Sequence, residues 1–116
     1  MLTLPIKKQW FVMIAKGEKE EEYRSLTPYY KVRFQNIGLL DMDGCANGKT
    51  PVIGLRNGYS RKDPTLIVSV MIDFGLGKKE WGADPFEVYY ILKIVKHHMI
   101  LNDGEIYYRY KDGEQE

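Results

Sequence analysis

The sequence contains one cysteine, two histidines and no long apolar run, and each shortage excludes a class of protein. Because Cys45 has no second cysteine in the chain, neither an intrachain disulfide nor a thiolate zinc site is available, and a reducing, cytoplasmic setting is expected. His97 and His98 are adjacent, so on a strand they would point to opposite faces and would not bind one metal together. We therefore predict no metal and no cofactor.

Membrane insertion and secretion are not expected either. No segment approaches the roughly 18 consecutive apolar residues that a membrane-spanning helix needs. The opening residues, Met1–Ile6, lack the basic stretch and the sustained apolar run of a secretory signal. With 116 residues, of which 44% are hydrophobic, the chain has the length and composition of a single domain covering residues 1–116.

An excess of one charge is also missing, since 17 Lys and Arg residues face 16 Asp and Glu residues. Binding of duplex DNA mainly through phosphate neutralisation needs a basic excess, so this partner is not expected. Recognition of one base or a small ligand in a pocket remains compatible with a net charge of +1. The nine Tyr, four Phe and two Trp residues supply volume for the core and aromatic surfaces on which a base could stack.

The apolar pattern predicts a mixed α+β domain. Helical spacing over Lys7–Lys16 indicates a first helix, which Gly17 ends. A second helix is expected to follow the N-cap Thr27 and to run from Pro28 to about Phe34. Strands are expected at Glu20–Ser25, Pro51–Arg56, Leu66–Phe74, Tyr89–Lys96 and, at an edge, Ile106–Tyr110. We expect about five strands to curl into a small barrel beside the two helices, with a frayed polar tail from about residue 111.

The segment Gly17–Arg24 is the most unusual, because four of the five residues from Glu18 to Glu22 are acidic. Like charges oppose a strand unless cations compensate them, and Lys19 and Arg24 are at hand to do so. Two interpretations are open. The segment is either a solvated charged edge, whose ion pairs contribute ~0–1 kcal/mol, or a site in which Arg24 buries its guanidinium against a carboxylate beside a cavity.

The same segment fits the pattern G-x-K-x-x-E-x-R, and it follows a helix with the aromatic-rich pattern Trp-Phe-x-Met-Ile. Gly17, Lys19, Glu22 and Arg24 occupy the four defined positions. On these residues the chain resembles the ASCH domain, a PUA-like β-barrel family related to RNA-binding and YTH-type folds. Further stretches that resemble small ASCH-type proteins frequent in bacteriophage and prophage genomes are Glu21–Arg24, Arg56–Ser60 and Glu80–Ala83.

The resemblance extends from about Leu4 to about Val95, and it implies a cleft beside the motif that binds RNA or modified nucleosides. Some members of the family are amidohydrolases that remove an acyl group from the exocyclic nitrogen of a modified cytidine. These have a Lys at the position of Lys19, a Thr where this chain has Glu22, and a Glu from a later segment, for which Glu80 is the near candidate. The Thr is thus not retained here.

We therefore expect a mixed-charge pocket that takes one base. Arg56 and Asn57 would read base edges or a phosphate, and Tyr59 would stack, although the same residues also suit a plain turn. Further expected ligand contacts come from Tyr23, Arg24 and Trp81.

Two alternatives stay open beside nucleoside binding. The first is hydrolysis of an N-acylated nucleoside by Lys19 with Glu22 or Glu80. Carboxylates near Lys19 favour its protonated form unless burial outweighs them, so the amine would need burial to act as a nucleophile. The second is a phage-type module that binds a host protein, with Ile106–Tyr110 as an uncovered edge.

Overall fold

The structure, a computed structural model, describes residues 1–102. Within this range the chain forms two α-helices and a five-stranded mixed sheet, so the predicted α+β class is confirmed. The predicted strand Ile106–Tyr110 and the polar tail lie outside the described residues. In chain order the elements are β1 (Thr3–Ile6), α1 (Lys8–Ala15), β2 (Glu21–Ser25), α2 (Pro28–Asn36), β3 (Val52–Asn57), β4 (Thr65–Leu76), a 3-10 turn (Lys79–Trp81) and β5 (Val88–Leu101).

Helix α1 ends at the predicted glycine. Gly17 has a φ of 82°, in the left-handed region that glycine adopts without strain. Its N–H donates to the Ile14 carbonyl at 3.0 Å, and the Glu18 N–H donates to the Met13 carbonyl at 2.8 Å. These two bonds form a Schellman motif, which satisfies the last carbonyls of the helix and turns the chain sharply towards β2.

Helix α2 begins at the predicted N-cap. The Thr27 hydroxyl accepts a hydrogen bond from the Tyr30 N–H at 3.3 Å, and Pro28 occupies the first helical position. The helix ends at Asn36, two residues beyond the predicted Phe34. Within residues 1–102 no helix is long and apolar enough to cross a membrane.

The sheet has the strand order β1-β3-β4-β5-β2, and the expectation of a closed barrel is wrong. Strand β1 pairs in parallel with β3, the other pairs are antiparallel, and β1 and β2 are the two edges. Pro5 gives the physical reason, because proline has no N–H to donate to a further strand. The Pro5 carbonyl instead accepts a hydrogen bond from the Arg24 side chain of β2 at 2.8 Å. A side chain, not a backbone ladder, therefore connects the two edges.

Strand β5 continues to Leu101, five residues beyond the predicted end at Lys96. His97 and His98 lie inside the strand, beyond the end that the apolar pattern predicts. The pairing with β4 shifts register twice, and Val95 and His98 are the unmatched residues. Such bulges bend and twist a sheet, which curls this one without closing it. They also interrupt the alternation of apolar residues on which the sequence prediction depended.

Two apolar clusters cover opposite faces of β5. Tyr90 and Leu92 belong to the main core, between the sheet and the two helices, whereas Tyr89 and Ile91 belong to a smaller cluster on the other face. Tyr23, Ala83 and the half-buried Trp81 complete the smaller cluster. Because β2 pairs with this doubly covered stretch of β5, its charged side chains are drawn into the protein interior.

Candidate functional site

Three charged side chains of the ASCH-like motif meet in the interior, and we call Lys19, Glu22 and Arg24 the Lys19 network. Lys19 is 1% exposed and Glu22 is 6% exposed. The Lys19 Nζ lies 3.3 Å from one carboxylate oxygen of Glu22, and Arg24 donates to the other. The interpretation of the segment as a solvated charged edge is therefore wrong for these three residues.

The Lys19 ammonium group is enclosed by both polar and aromatic partners. It donates to the backbone carbonyl of Trp81 and lies 5.1 Å from the Trp10 ring and 4.9 Å from the Tyr23 ring. Burial lowers the pKa of Lys19, and the neighbouring Glu22 carboxylate opposes that shift in part. Cation–π contacts compensate some of the lost hydration, so the site is built to hold a buried cation.

Arg24 extends from the Lys19 network to the opposite edge of the sheet. Besides Glu22, its guanidinium donates to the Tyr23 carbonyl and to the Pro5 carbonyl, both at 2.8 Å. It also lies 5.9 Å from the Tyr30 ring of α2. Because the guanidinium is planar and presents its donors as a fixed fork, these partners hold β1, β2 and α2 in one relative position.

The chain from Gly77 to Gly82 packs over Tyr23 and carries Trp81 to Lys19. The Tyr23 hydroxyl donates to Glu21 at 2.9 Å and accepts from the Lys78 N–H at 3.0 Å. Burial raises the pKa of Tyr23. A Cβ at Gly77 would lie 2.7 Å from the Tyr23 ring, so only glycine allows the segment to approach this closely. Glycine at this position thus sets the location of Trp81.

The motif at Arg56–Ser60 forms a separate feature. It lines a surface depression of about 450 Å³ whose walls also include the start of α1, and a smaller one of about 180 Å³ that shares three of the same residues. We call the two together the Tyr59 depression. Its lining residues are Thr3, Pro5, Ile6, Lys7, Lys8, Arg56, Asn57, Gly58 and Tyr59.

Tyr59 is presented to solvent by a tight turn. Its side chain is 88% exposed. The preceding Gly58 has a φ of 125°, and the Asp63 carboxylate accepts a hydrogen bond from the Ser60 N–H at 2.9 Å. Arg56 is fixed at the base of the turn, where its Nε donates to the Thr65 hydroxyl at 3.0 Å. An exposed aromatic ring beside an anchored guanidinium is a suitable surface for stacking and hydrogen bonding to a base.

The structure thus divides the sequence-predicted site residues into two groups. Tyr23 and Trp81 surround the Lys19 network, whereas Arg56, Asn57 and Tyr59 line the Tyr59 depression. Pro5 joins the groups, because its carbonyl accepts a hydrogen bond from Arg24 and the same residue lines both parts of the depression. Glu80 is exposed on the 3-10 turn, and its neighbour Trp81 is the residue whose carbonyl reaches Lys19.

Sequence reasoning missed the contribution of the chain start to the site. Lys7 and Lys8 face the Arg56–Ser60 turn because β1 pairs in parallel with β3, and this pairing sets Pro5 opposite Arg56. The adjacent basic pair at the start of the first helix was the available indication. The Arg56–Ser60 turn could not be identified as the neighbour of this basic pair, because parallel strands are not joined by a short turn that the sequence would show.

Within residues 1–102 no group of three or more His, Cys, Asp and Glu side chains is arranged to hold a metal ion. Searches with the sequence and the structure found no matching protein-family model, no matching curated protein and no matching solved structure. The resemblance to the ASCH domain accordingly depends on the motif residues alone.

Proposed function

We propose that the protein is an ASCH-type, PUA-like module that binds RNA or a modified nucleoside, and that the Tyr59 depression is the binding surface. The observation that carries this proposal is the exposed Tyr59 ring, held beside Arg56 and Asn57 in a depression that Arg24 connects to the buried motif. The resemblance in sequence and the chemistry of the depression support the same ligand class.

The size and chemistry of the depression suit a single base. The larger part of the depression, of about 450 Å³, lies within the range of roughly 300–1,000 Å³ typical of small-molecule sites, and the smaller part, which Arg56 lines, adds about 180 Å³. Unpaired bases are commonly bound by stacking on an aromatic ring and by hydrogen bonds to their edges, and Tyr59, Arg56 and Asn57 supply these groups. The nearly neutral chain also favours recognition of one nucleotide over tracking along a strand.

In this proposal the Lys19 network supports the binding surface from behind. Lys19 and Glu22 are too deeply buried to meet a ligand while the segment from Lys78 to Gly82 stays in place. Arg24 transmits their position to β1 through the Pro5 carbonyl. The motif therefore acts by fixing the wall of the depression, and Tyr59 and Arg56 contact the base.

The test is a binding measurement on a Tyr59→Ala variant. Fluorescein-labelled single-stranded RNA of about eight nucleotides and a panel of modified nucleosides would be titrated into the wild type and the variant. Loss of one stacked base costs about 1–3 kcal/mol, which corresponds to a roughly 5- to 150-fold higher Kd. Because Tyr59 is almost fully exposed, the melting temperature of the variant should not change.

A Tyr29→Ala variant is the matched control, since Tyr29 is an exposed tyrosine of α2 outside the depression. It should bind as the wild type does. Equal affinities of the wild type and the Tyr59→Ala variant would contradict the proposal, and so would the absence of wild-type binding to every nucleoside and RNA tested.

A second candidate, hydrolysis of an N-acylated nucleoside, is favoured by one observation. Burial lowers the pKa of Lys19, which increases the neutral amine fraction that a nucleophile needs. Access to Lys19 would require the Trp81 segment to open. Incubation of wild type and Lys19→Met with N-acylated cytidines, followed by chromatography, tests this function, and unchanged substrate after hours with wild type would rule it out.

A further inference from the structure

We propose that the ligand of the Tyr59 depression carries a phosphate group, which binds at the end formed by Lys7 and Lys8, while its base lies at the end formed by Tyr59 and Arg56. This inference rests on the proposed function and narrows the ligand class. A nucleoside monophosphate, or one nucleotide of a single-stranded RNA, meets the requirement, and a free nucleoside does not.

The distribution of charge around the depression is the first support. Among residues 1–102, its lining includes Lys7, Lys8 and Arg56 and no Asp or Glu side chain. The nearest acidic group of the turn, the Asp63 carboxylate, accepts the Ser60 N–H within the turn. Three cations around one depression, without an acidic side chain among its described lining residues, make this surface locally basic and attractive to an anion.

The geometry of the depression is the second support. Lys7 and Lys8 line only the larger part, and Arg56 and Thr3 line only the smaller part, with Pro5, Gly58 and Tyr59 common to both. A ligand that extends over both parts would therefore contact Lys7 and Lys8 in one part and Arg56 in the other, with Tyr59 common to both. A nucleotide has this construction, because its stacking base and its anionic phosphate are separated by a sugar.

The backbone at the Lys7–Lys8 end adds to the attraction for an anion. Lys7 is the N-cap of α1 and its side chain makes no capping bond, and the first turn of the helix contains no acidic residue. The N–H groups of this first turn are not bonded within the helix, and they give the end of the helix a partial positive charge. A phosphate seated between Lys7 and Lys8 would meet that charge together with the two ammonium groups.

The experiment compares ligands that differ only by the phosphate. Adenosine, cytidine, guanosine and uridine, their 5′-monophosphates and the tetranucleotides of each base would be titrated into the wild-type protein by calorimetry or by NMR chemical-shift mapping. At least one monophosphate should bind ten times or more tightly than its nucleoside, and the difference should shrink as salt is added. A tetranucleotide that binds ten times more tightly than its monophosphate identifies RNA as the source, and equal affinity identifies the free nucleotide.

A double variant, Lys7→Gln with Lys8→Gln, tests the location. It should reduce the affinity for the monophosphate at least tenfold and bring the ratio of nucleoside to monophosphate Kd close to one. The matched control is Lys49→Gln with Lys96→Gln, which removes the same charge from exposed positions away from the depression and should bind as the wild type does.

The possible failures are distinguishable. Equal wild-type affinity for a nucleoside and its monophosphate would overturn the phosphate assignment while leaving the proposed function intact. An equal loss of affinity in the control variant would overturn the location, since general charge would then account for binding. Absence of binding to every nucleoside, monophosphate and tetranucleotide would overturn the phosphate assignment, and absence of binding to the modified nucleosides and the longer RNA as well would overturn the proposed function.

Discussion

Replacement of Glu22 by glutamine removes the one anion that Lys19 and Arg24 share, and it keeps the shape of the side chain. In the wild type the two carboxylate oxygens of Glu22 are divided between these cations. In the variant both cations stay buried, with an amide between them in place of a charge. We expect the Glu22→Gln variant to fold with a much lower free energy of unfolding.

The magnitude follows from the geometry. At 3.3 Å and an effective dielectric constant of about 20, the attraction between Lys19 and Glu22 alone is about 5 kcal/mol before desolvation is subtracted. Removal of one partner from a buried ion pair typically costs ~3–5 kcal/mol, because it leaves a buried charge uncompensated. A domain of this size has a total stability of roughly 5–15 kcal/mol, so the expected decrease in Tm is roughly 12–20 °C.

Urea titration gives the free energy of unfolding directly. Trp10 and Trp81 lie beside Lys19, so their fluorescence reports the site, and far-UV circular dichroism reports the whole domain. Glu20→Gln is the matched control, since Glu20 is exposed and carries the same charge, and its effect should stay within about 0.5 kcal/mol. Adding Lys19→Met to Glu22→Gln should recover part of the loss, because one uncompensated cation is gone. A loss below about 1 kcal/mol for Glu22→Gln would refute the reasoning.

Three further changes test the surroundings of the network. The pKa of Lys19 is lowered, so burial of its charged form costs stability fully below the folded pKa, and this cost disappears as the pH rises towards the unfolded value near 10.4. The free energy of unfolding of the wild type minus that of Lys19→Met, measured by urea titration, should therefore rise with pH, by at most ~1.4 kcal/mol per pH unit. A pH-independent difference would contradict this. Gly77→Ala should cost ~1–3 kcal/mol in the same assay, because its Cβ would lie 2.7 Å from the Tyr23 ring, whereas Gly75→Ala meets only an ordinary contact at 3.5 Å and should cost less. Thr27→Ala removes the N-cap hydrogen bond and should lower the free energy of unfolding by about 1 kcal/mol. Thr27→Ser keeps the hydroxyl and should retain most of that stability. Equal stabilities of the two variants would argue against the cap.

The local elements could be predicted because their causes lie within a few residues. Gly17 ends α1 through its own φ and through bonds to the preceding turn, and Thr27 begins α2 through a bond to a residue three positions later. The pairing of Arg24 with a carboxylate was likewise expected, and Glu22 is in position to be that partner because alternate residues of a strand share a face. These predictions needed no knowledge of the rest of the chain.

The open sheet and the full length of β5 could not be predicted in the same way. The bulges at Val95 and His98 depend on how β5 registers against β4 over its whole length. The edge position of β1 depends on its parallel partner β3, which is separated from it by two helices and a strand. Neither the register of β5 against β4 nor the pairing of β1 with β3 can be recognised from the local pattern of apolar residues.

For the site, the sequence by itself determined which charges stand next to one another, and it indicated Lys19, Glu22 and Arg24 as a motif. Only the tertiary structure decided that the motif is buried, because burial depends on the two clusters that cover β5 and on the glycine that lets the Trp81 segment pack over Tyr23. It also decided that Lys7 and Lys8 face Tyr59. The near-zero net charge of the chain gave no indication of that local basic surface, since a sum of charges is independent of where folding places them.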